Sequence, residues 1–170
     1  MKWQVAVALA AATVVTGCTV AVGGSASPVP GQGPVVKAVD ACKLLDEAQV
    51  DALGYQQPGK SVPEDKDRLQ PPTCFWSLKD NDDLTAVLSI GLATDMDFNE
   101  YIAGAVPKSS PQEIGGLTWT QYGSILPDDC TFYASLGDKS FAFVGVSTGK
   151  LEKSCELVKL AIPQAAAHLP

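Results

Sequence analysis

The side chains best suited to chemistry in this 170-residue chain are five cysteines, at Cys18, Cys42, Cys74, Cys130 and Cys155. Thiolates can hold a metal, attack an electrophile or pair as disulfides. A zinc site wants closely spaced Cys and His ligands. Here no Cys-x-x-Cys occurs, and the single histidine, His168, stands near the C-terminus. Nucleophilic catalysis wants a base beside the nucleophile. There is no Gly-x-Ser-x-Gly, and His168 lies in an Ala-rich tail. The wide spacing of Cys42, Cys74, Cys130 and Cys155 suits structural disulfides, an even set once Cys18 is set aside. The carboxylates offer less. Asp95-Met96-Asp97-Phe98-Asn99 opens like a calcium loop, but Glu100 replaces the turn glycine and Val106 the bidentate glutamate, so a helix N-cap explains the acids better. Asp80-Asn81-Asp82-Asp83 reads as a solvated turn. No catalytic residue, metal site or cofactor is expected.

Cys18 owes its meaning to what precedes it. Met1-Lys2 is a short basic start, and Trp3 to Val15 is almost unbroken apolar. That run is too short for a bilayer-spanning helix of roughly 20 residues, so it reads as a signal peptide over residues 1–17. Val15-Thr16-Gly17-Cys18 resembles the lipobox of bacterial lipoproteins, which implies a diacylglyceryl group (palmitate-type chains) on the Cys18 sulfur and cleavage just before it. Two acyl chains make a stable anchor where one does not. Residues 18–39, rich in Gly, Ser, Pro and Ala with Lys37 as the one charge, read as a disordered tether. Its r.m.s. reach is about 25 Å.

Residues 40–170 read as a single α+β domain. Asp46 and Gln49 form a capping box for a helix over Glu47 to Leu53, with Gly54 past its end. Period-2 alternation predicts strands over Thr73 to Leu78, Leu84 to Leu92, Leu117 to Tyr122, Cys130 to Leu136 and Phe141 to Ser147. The last is apolar on both faces and should be central or covered. Trp76 and Trp119 point inward on their strands and read as core residues, the alternative being the lining of a ligand pocket. A short helix follows Asp95 or Asp97. The stretch Gln56 to Pro72 reads as a long loop that is functional or conceals a strand, and Pro107 to Gly116 as a loop. Leu151, Cys155, Val158, Ile162, Ala165 and Leu169 form a helical stripe that Pro163 should kink or split. The expected fold is therefore a mainly antiparallel sheet of about five strands with helices on one face. Cys42 lies just before the first helix and Cys74 on the first strand, Cys130 on a later strand and Cys155 on the last helix, which predicts the pairs Cys42–Cys74 and Cys130–Cys155, each pinning a helix to its nearest hairpin.

The segment Asp40-Ala41-Cys42-Lys43-Leu44-Leu45-Asp46-Glu47-Ala48-Gln49-Val50-Asp51-Ala52-Leu53-Gly54 resembles the opening of the actinobacterial DUF3558 lipoproteins. Cys74-Phe75-Trp76, Gly137-Asp138-Lys139 and the late Cys155 continue the likeness; Ala41 departs from the Asp-Pro-Cys of many members. The resemblance implies a cell-envelope lipoprotein with two disulfides and no assigned activity.

The formal charge of −7 argues against nucleic acid as a partner. The expectation is a non-catalytic binding module, lipid-anchored through Cys18 on the outer face of the cell membrane. Its partner would be a protein or a small envelope ligand. The alternatives are a lipid or glycolipid carrier with an internal apolar cavity and, behind it, a carboxylate-based envelope hydrolase.

Overall fold

The computed structural model describes residues 37–79, 86–124 and 126–170. The leader, Cys18, nearly all of the tether, the Asp80–Asp83 cluster and Leu84 lie outside the described residues.

Seven antiparallel strands make one sheet: β1 (Lys60–Val62), β2 (Thr73–Ser77), β3 (Val87–Ala93), β4 (Gln112–Ile114), β5 (Leu117–Tyr122), β6 (Asp129–Gly137) and β7 (Ser140–Ser147), in the order β1-β2-β3-β7-β6-β5-β4. The sequence had led us to expect about five. The additional strands, β1 and β4, are the two edges. Each has only three residues, largely polar, which suits an edge and leaves almost no alternation to read. β1 is the strand concealed in the Gln56 to Pro72 stretch, and β4 corrects the reading of Pro107 to Gly116 as loop. β4 turns into β5 through Gly115-Gly116, with φ of 62° and 78°. Two positive φ values are what a two-residue type I′ hairpin demands.

β7 lies at the centre, between β3 and β6, and all eight of its residues are buried. This is why that strand is apolar on both faces. The face we call inner carries Cys74, Trp76, Leu88, Ile90, Leu92, Trp119, Cys130, Phe132, Val144 and Val146. A 3-10 turn (Ala41–Lys43), α1 (Glu47–Ala52) and α3 (Leu151–Ala166) contribute Ala41, Leu44, Leu45, Val50, Val158, Ala161, Ile162 and Ala165 to the same core. α1 starts on its capping box: the Gln49 N–H donates to Asp46 at 2.8 Å, and the Asp46 N–H donates back to the Gln49 side chain at 2.8 Å. Gly54 follows at φ 86°, as a helix-ending glycine should.

α2 (Phe98–Tyr101) departs from the expected plan. It covers the other face of the sheet, where Phe98 and Tyr101 join a second cluster around Ala93, Met96, Phe141 and Phe143. Helices therefore lie on both faces, because alternating strands such as β7 are apolar on both.

α3 also corrects two details. It passes through Pro163 as one helix rather than splitting. Pro163 and Lys159, whose carbonyl loses its amide partner, are both exposed, so water can serve that carbonyl. Leu151 does not join the stripe: it is 48% exposed, and Ser154 takes the first buried place. Leu151 is the first residue of α3 and sits beside Leu126 in the loop before β6, beyond the reach of the core.

Cys42 is bonded to Cys74 and Cys130 to Cys155, with Cα separations of 5.0 and 5.1 Å. One glycine is tied to the first bond. A Cβ on Gly59 would stand 2.5 Å from Trp76 Nε1 and 2.6 Å from Cys74 Sγ. Neither can yield, since both side chains are wholly buried. Gly59→Ala is therefore expected to cost about 3 kcal/mol, the upper range for overfilling a core. Urea unfolding followed by tryptophan emission measures it; an unchanged midpoint would mean that this contact relaxes freely.

Candidate functional site

The sheet's second, outer face carries a feature that the inner face lacks: aromatic rings beside solvent. Alternation along the strands puts Tyr133 on β6, Phe141 and Phe143 on β7 and Tyr122 on β5 on this side, opposite Phe132, Ala142 and Val144. Cross-strand neighbours bring them together, Tyr133 standing opposite Phe143 in the register. α2 adds Phe98 and Tyr101, three residues apart and hence on one helical face. Its start is set by Asp97, whose carboxylate accepts the Asn99 and Glu100 N–H groups at 2.8 and 3.1 Å.

These rings form a continuous network. Tyr101 and Phe141 lie 4.7 Å apart between centroids, Phe98 and Phe141 5.3 Å, and Tyr133 and Phe143 5.7 Å. Tyr122 meets Phe98 and Tyr133 edge-on, at 5.9 and 5.8 Å with interplanar angles of 83° and 80°. Such edge contacts each add about 0.5–1.5 kcal/mol beyond burial. A small residue makes room: the Phe143 ring covers Gly91, where a Cβ would stand 2.1 Å from it.

One side of the network is open. A groove of about 430 Å³ runs along β5 beside α2, bounded by Phe98, Tyr122 and Tyr133 and floored by Thr118, Thr120 and Ser135. None of its lining residues is charged. At the rim, Glu113 accepts the Thr118 hydroxyl proton. The volume is within the roughly 300–1,000 Å³ typical of small-ligand sites. Burial pushes the Tyr133 phenol well above the ordinary tyrosine range, with the neighbouring Tyr101 adding to it; burial likewise pushes Tyr101 up. Both phenols are neutral donors at physiological pH.

A second groove, about 500 Å³, opens at the loop before β6 and includes Lys108, Leu126, Asp129 and Leu151. Asp129 is pushed above the usual carboxylate range, by burial first and by the adjacent Asp128; hydrogen bonds from Ser124 and Thr131 oppose the shift. The Thr131 hydroxyl donates to it at 2.8 Å. A carboxyl group raised in the fold helps stability only while protonated, so at neutral pH its charge is a cost. Asp129→Asn keeps an acceptor for both hydroxyls and should raise the unfolding midpoint at pH 7. The gain should vanish as pH falls below about 4, where the wild-type group is protonated folded or unfolded. Urea titrations at the two pH values decide it, and a loss at pH 7 would mean that the charge itself is needed.

The residues singled out from sequence mostly serve the fold. Trp76 and Trp119 are inner-core residues, 1% and 0% exposed. Asp97 caps α2, while Asp95 receives a hydrogen bond from Lys66 Nζ at 2.7 Å, which holds its carboxyl below the usual range. The two acids thus act separately. Asp128 accepts the Gly149 N–H at 2.9 Å and the Ser147 hydroxyl at 3.1 Å, closing the loop before β6 onto the end of β7. Cys18 lies outside the described residues. Missed altogether were Phe98, Tyr101, Tyr122 and Tyr133 as one surface. The signal was present in the two-sided apolar strand, whose outer face needed a cover.

The chain matches the family model described as "Protein of unknown function (DUF3558)" over residues 13–166. No curated protein and no solved structure matches it. With nearly the whole length matched, the seven-stranded, twice-bridged domain and the segment leading into it belong to the DUF3558 family.

Proposed function

We propose that this protein is a non-catalytic binding module held on the outer face of the cell membrane by lipid on Cys18, with the outer sheet face as its recognition surface. The observation that carries the reading is the open aromatic groove along β5, set against an inner core that is closed. Phe132, Trp76, Trp119 and Ile162 fill the space between α3 and the sheet at 0–1% exposure. That weighs against a lipid carrier, which needs room there. The groove lining has no carboxylate, imidazole or thiol to move a proton or attack a carbonyl. No particular acids carry the hydrolase reading; the adjacent pair Asp128 and Asp129 serves the fold, Asp128 closing the loop onto β7 and Asp129 accepting the Thr131 hydroxyl. One further fact supports the anchor: the family match begins at residue 13 and so takes in Val15 to Cys18.

Two measurements test this. Cys18→Ala should move the protein from the membrane to the soluble fraction, and retention of the variant would remove the anchor. Native mass spectrometry of protein taken from its own host's envelope should show a small mass lost on denaturation. Thr120→Trp, which fills the groove floor, should abolish that mass. An adduct that survives this substitution would place the ligand elsewhere.

A further inference from the structure

The groove's chemistry also says what kind of molecule fits, given the binding role proposed above. Its walls are aromatic, Phe98, Tyr122 and Tyr133, and its floor carries the hydroxyls of Thr118, Thr120 and Ser135. A hydroxyl both donates and accepts. The lining is uncharged although the chain carries a formal charge of −7. We infer that the groove binds a neutral saccharide, one pyranose ring lying against Tyr122 and its hydroxyls meeting the Thr118–Thr120–Ser135 floor.

Every other class of ligand would leave groups unsatisfied. An acyl chain would cover the rings but strip water from the Thr120 hydroxyl and from the lone pairs of Thr118 and Ser135, whose protons go to Glu113 and the Gly137 carbonyl, without replacing those hydrogen bonds. An anionic glycan or phosphate would find no cation in the lining and a net negative protein around it. A cationic ligand would find no carboxylate in the lining; Glu113 stands outside it, on the far side of the Thr118 hydroxyl that donates to it. A pyranose has an apolar C–H face for an aromatic ring, whose π face is electron-rich, and a rim of hydroxyls that both donate and accept. The strand geometry suits it. Thr118, Thr120 and Tyr122 alternate along β5 and so point to one face about 6.7 Å apart, a spacing that lets successive side chains address one ring.

The test is a titration of the full chain, extracted in detergent and isotopically labelled, with a panel of neutral linear hexose tetrasaccharides. A galacturonate tetramer and a neutral tetrapeptide serve as comparators. Amide shifts should appear in β5, β6 and α2 with at least one neutral tetrasaccharide and be at least tenfold weaker with the uronate. Tyr122→Phe should hold binding within a few-fold, because it keeps the ring. Tyr122→Ala and Thr120→Trp should each weaken binding at least tenfold. Thr120→Trp keeps Tyr122 in place, so it guards against misreading a fold defect. Equal shifts with the uronate, or groove shifts with the tetrapeptide alone, would overturn the saccharide class and leave the binding role standing. No groove shift with any probe, together with no native-mass adduct, would overturn both.

Discussion

Replacing Cys130 and Cys155 together by alanine should lower the stability of this domain by about 3–4 kcal/mol, and replacing Cys42 and Cys74 together by a similar amount. The bonds close loops with sequence separations of 25 and 32 residues. In the chain-entropy account, most of the effect comes from the freedom that the unfolded chain regains. The two losses should be distinguishable in place. Cys155 is on α3, so the first loss frees that helix from β6, although Val158, Ile162 and Ala165 still hold it by burial. Cys42 lies in the 3-10 turn before α1, a short segment held chiefly by the burial of Ala41, Leu44 and Leu45. Hydrogen exchange should then show that turn and α1 opening locally when Cys42–Cys74 is absent. Removing all four cysteines should cost about 7 kcal/mol, which rivals the total stability of many domains, roughly 5–15 kcal/mol. Urea unfolding followed by the emission of buried Trp76 and Trp119 measures each step. A four-alanine variant that folds with an unchanged midpoint would show that the sheet and α3 hold without crosslinks.

The second large effect belongs to the tyrosines. Burial raises the phenols of Tyr55, Tyr101 and Tyr133 above the ordinary range in the folded chain. In the unfolded chain each ionises near pH 10. Below that pH the phenols are protonated in both states and the fold has its full stability. Above it the unfolded state gives up protons that the folded state keeps, and stability falls. Each tyrosine contributes about 1.4 kcal/mol per pH unit, so three together contribute about 4. The domain should therefore unfold cooperatively between about pH 10 and 12, with a phenolate absorbance step for three tyrosines coinciding with the loss of near-ultraviolet circular dichroism. Tyr55→Phe should reduce the slope by a third. It should also leave stability at neutral pH equal or higher, because the buried Tyr55 hydroxyl has no partner among the described residues. Three phenolates appearing before unfolding begins would show that these rings are open to solvent.

Local rules read much of this fold from the sequence. The capping box of Asp46 and Gln49, the helix-ending Gly54 and the cap at Asp97 depend on residues within a few positions of one another. Their outcomes are decided by backbone geometry close by. Strands β2, β3, β5, β6 and β7 were legible for a similar reason: one buried face leaves a period of two. The edge strands β1 and β4 left no such mark, although Gly115-Gly116 between Ile114 and Leu117 was a hairpin signal for β4. The candidate groove was legible only as an unexplained excess, the apolar outer face of Phe141 to Ser147.

By itself, then, the sequence determined most of the local elements and the pairing of Cys42 with Cys74 and of Cys130 with Cys155. Helix caps, alternation and an even set of bridging thiols are short-range or compositional properties. Only the tertiary structure decided which face each aromatic ring occupies and which rings meet. Phe98, Tyr122 and Tyr133 come from α2, β5 and β6, and they share a groove because β7 sits at the centre of the sheet and α2 folds back across it. Pairing between distant strands sets that proximity, and the energy that selects it is the burial of both faces of β7, a sum over the whole sheet that no single stretch of residues carries.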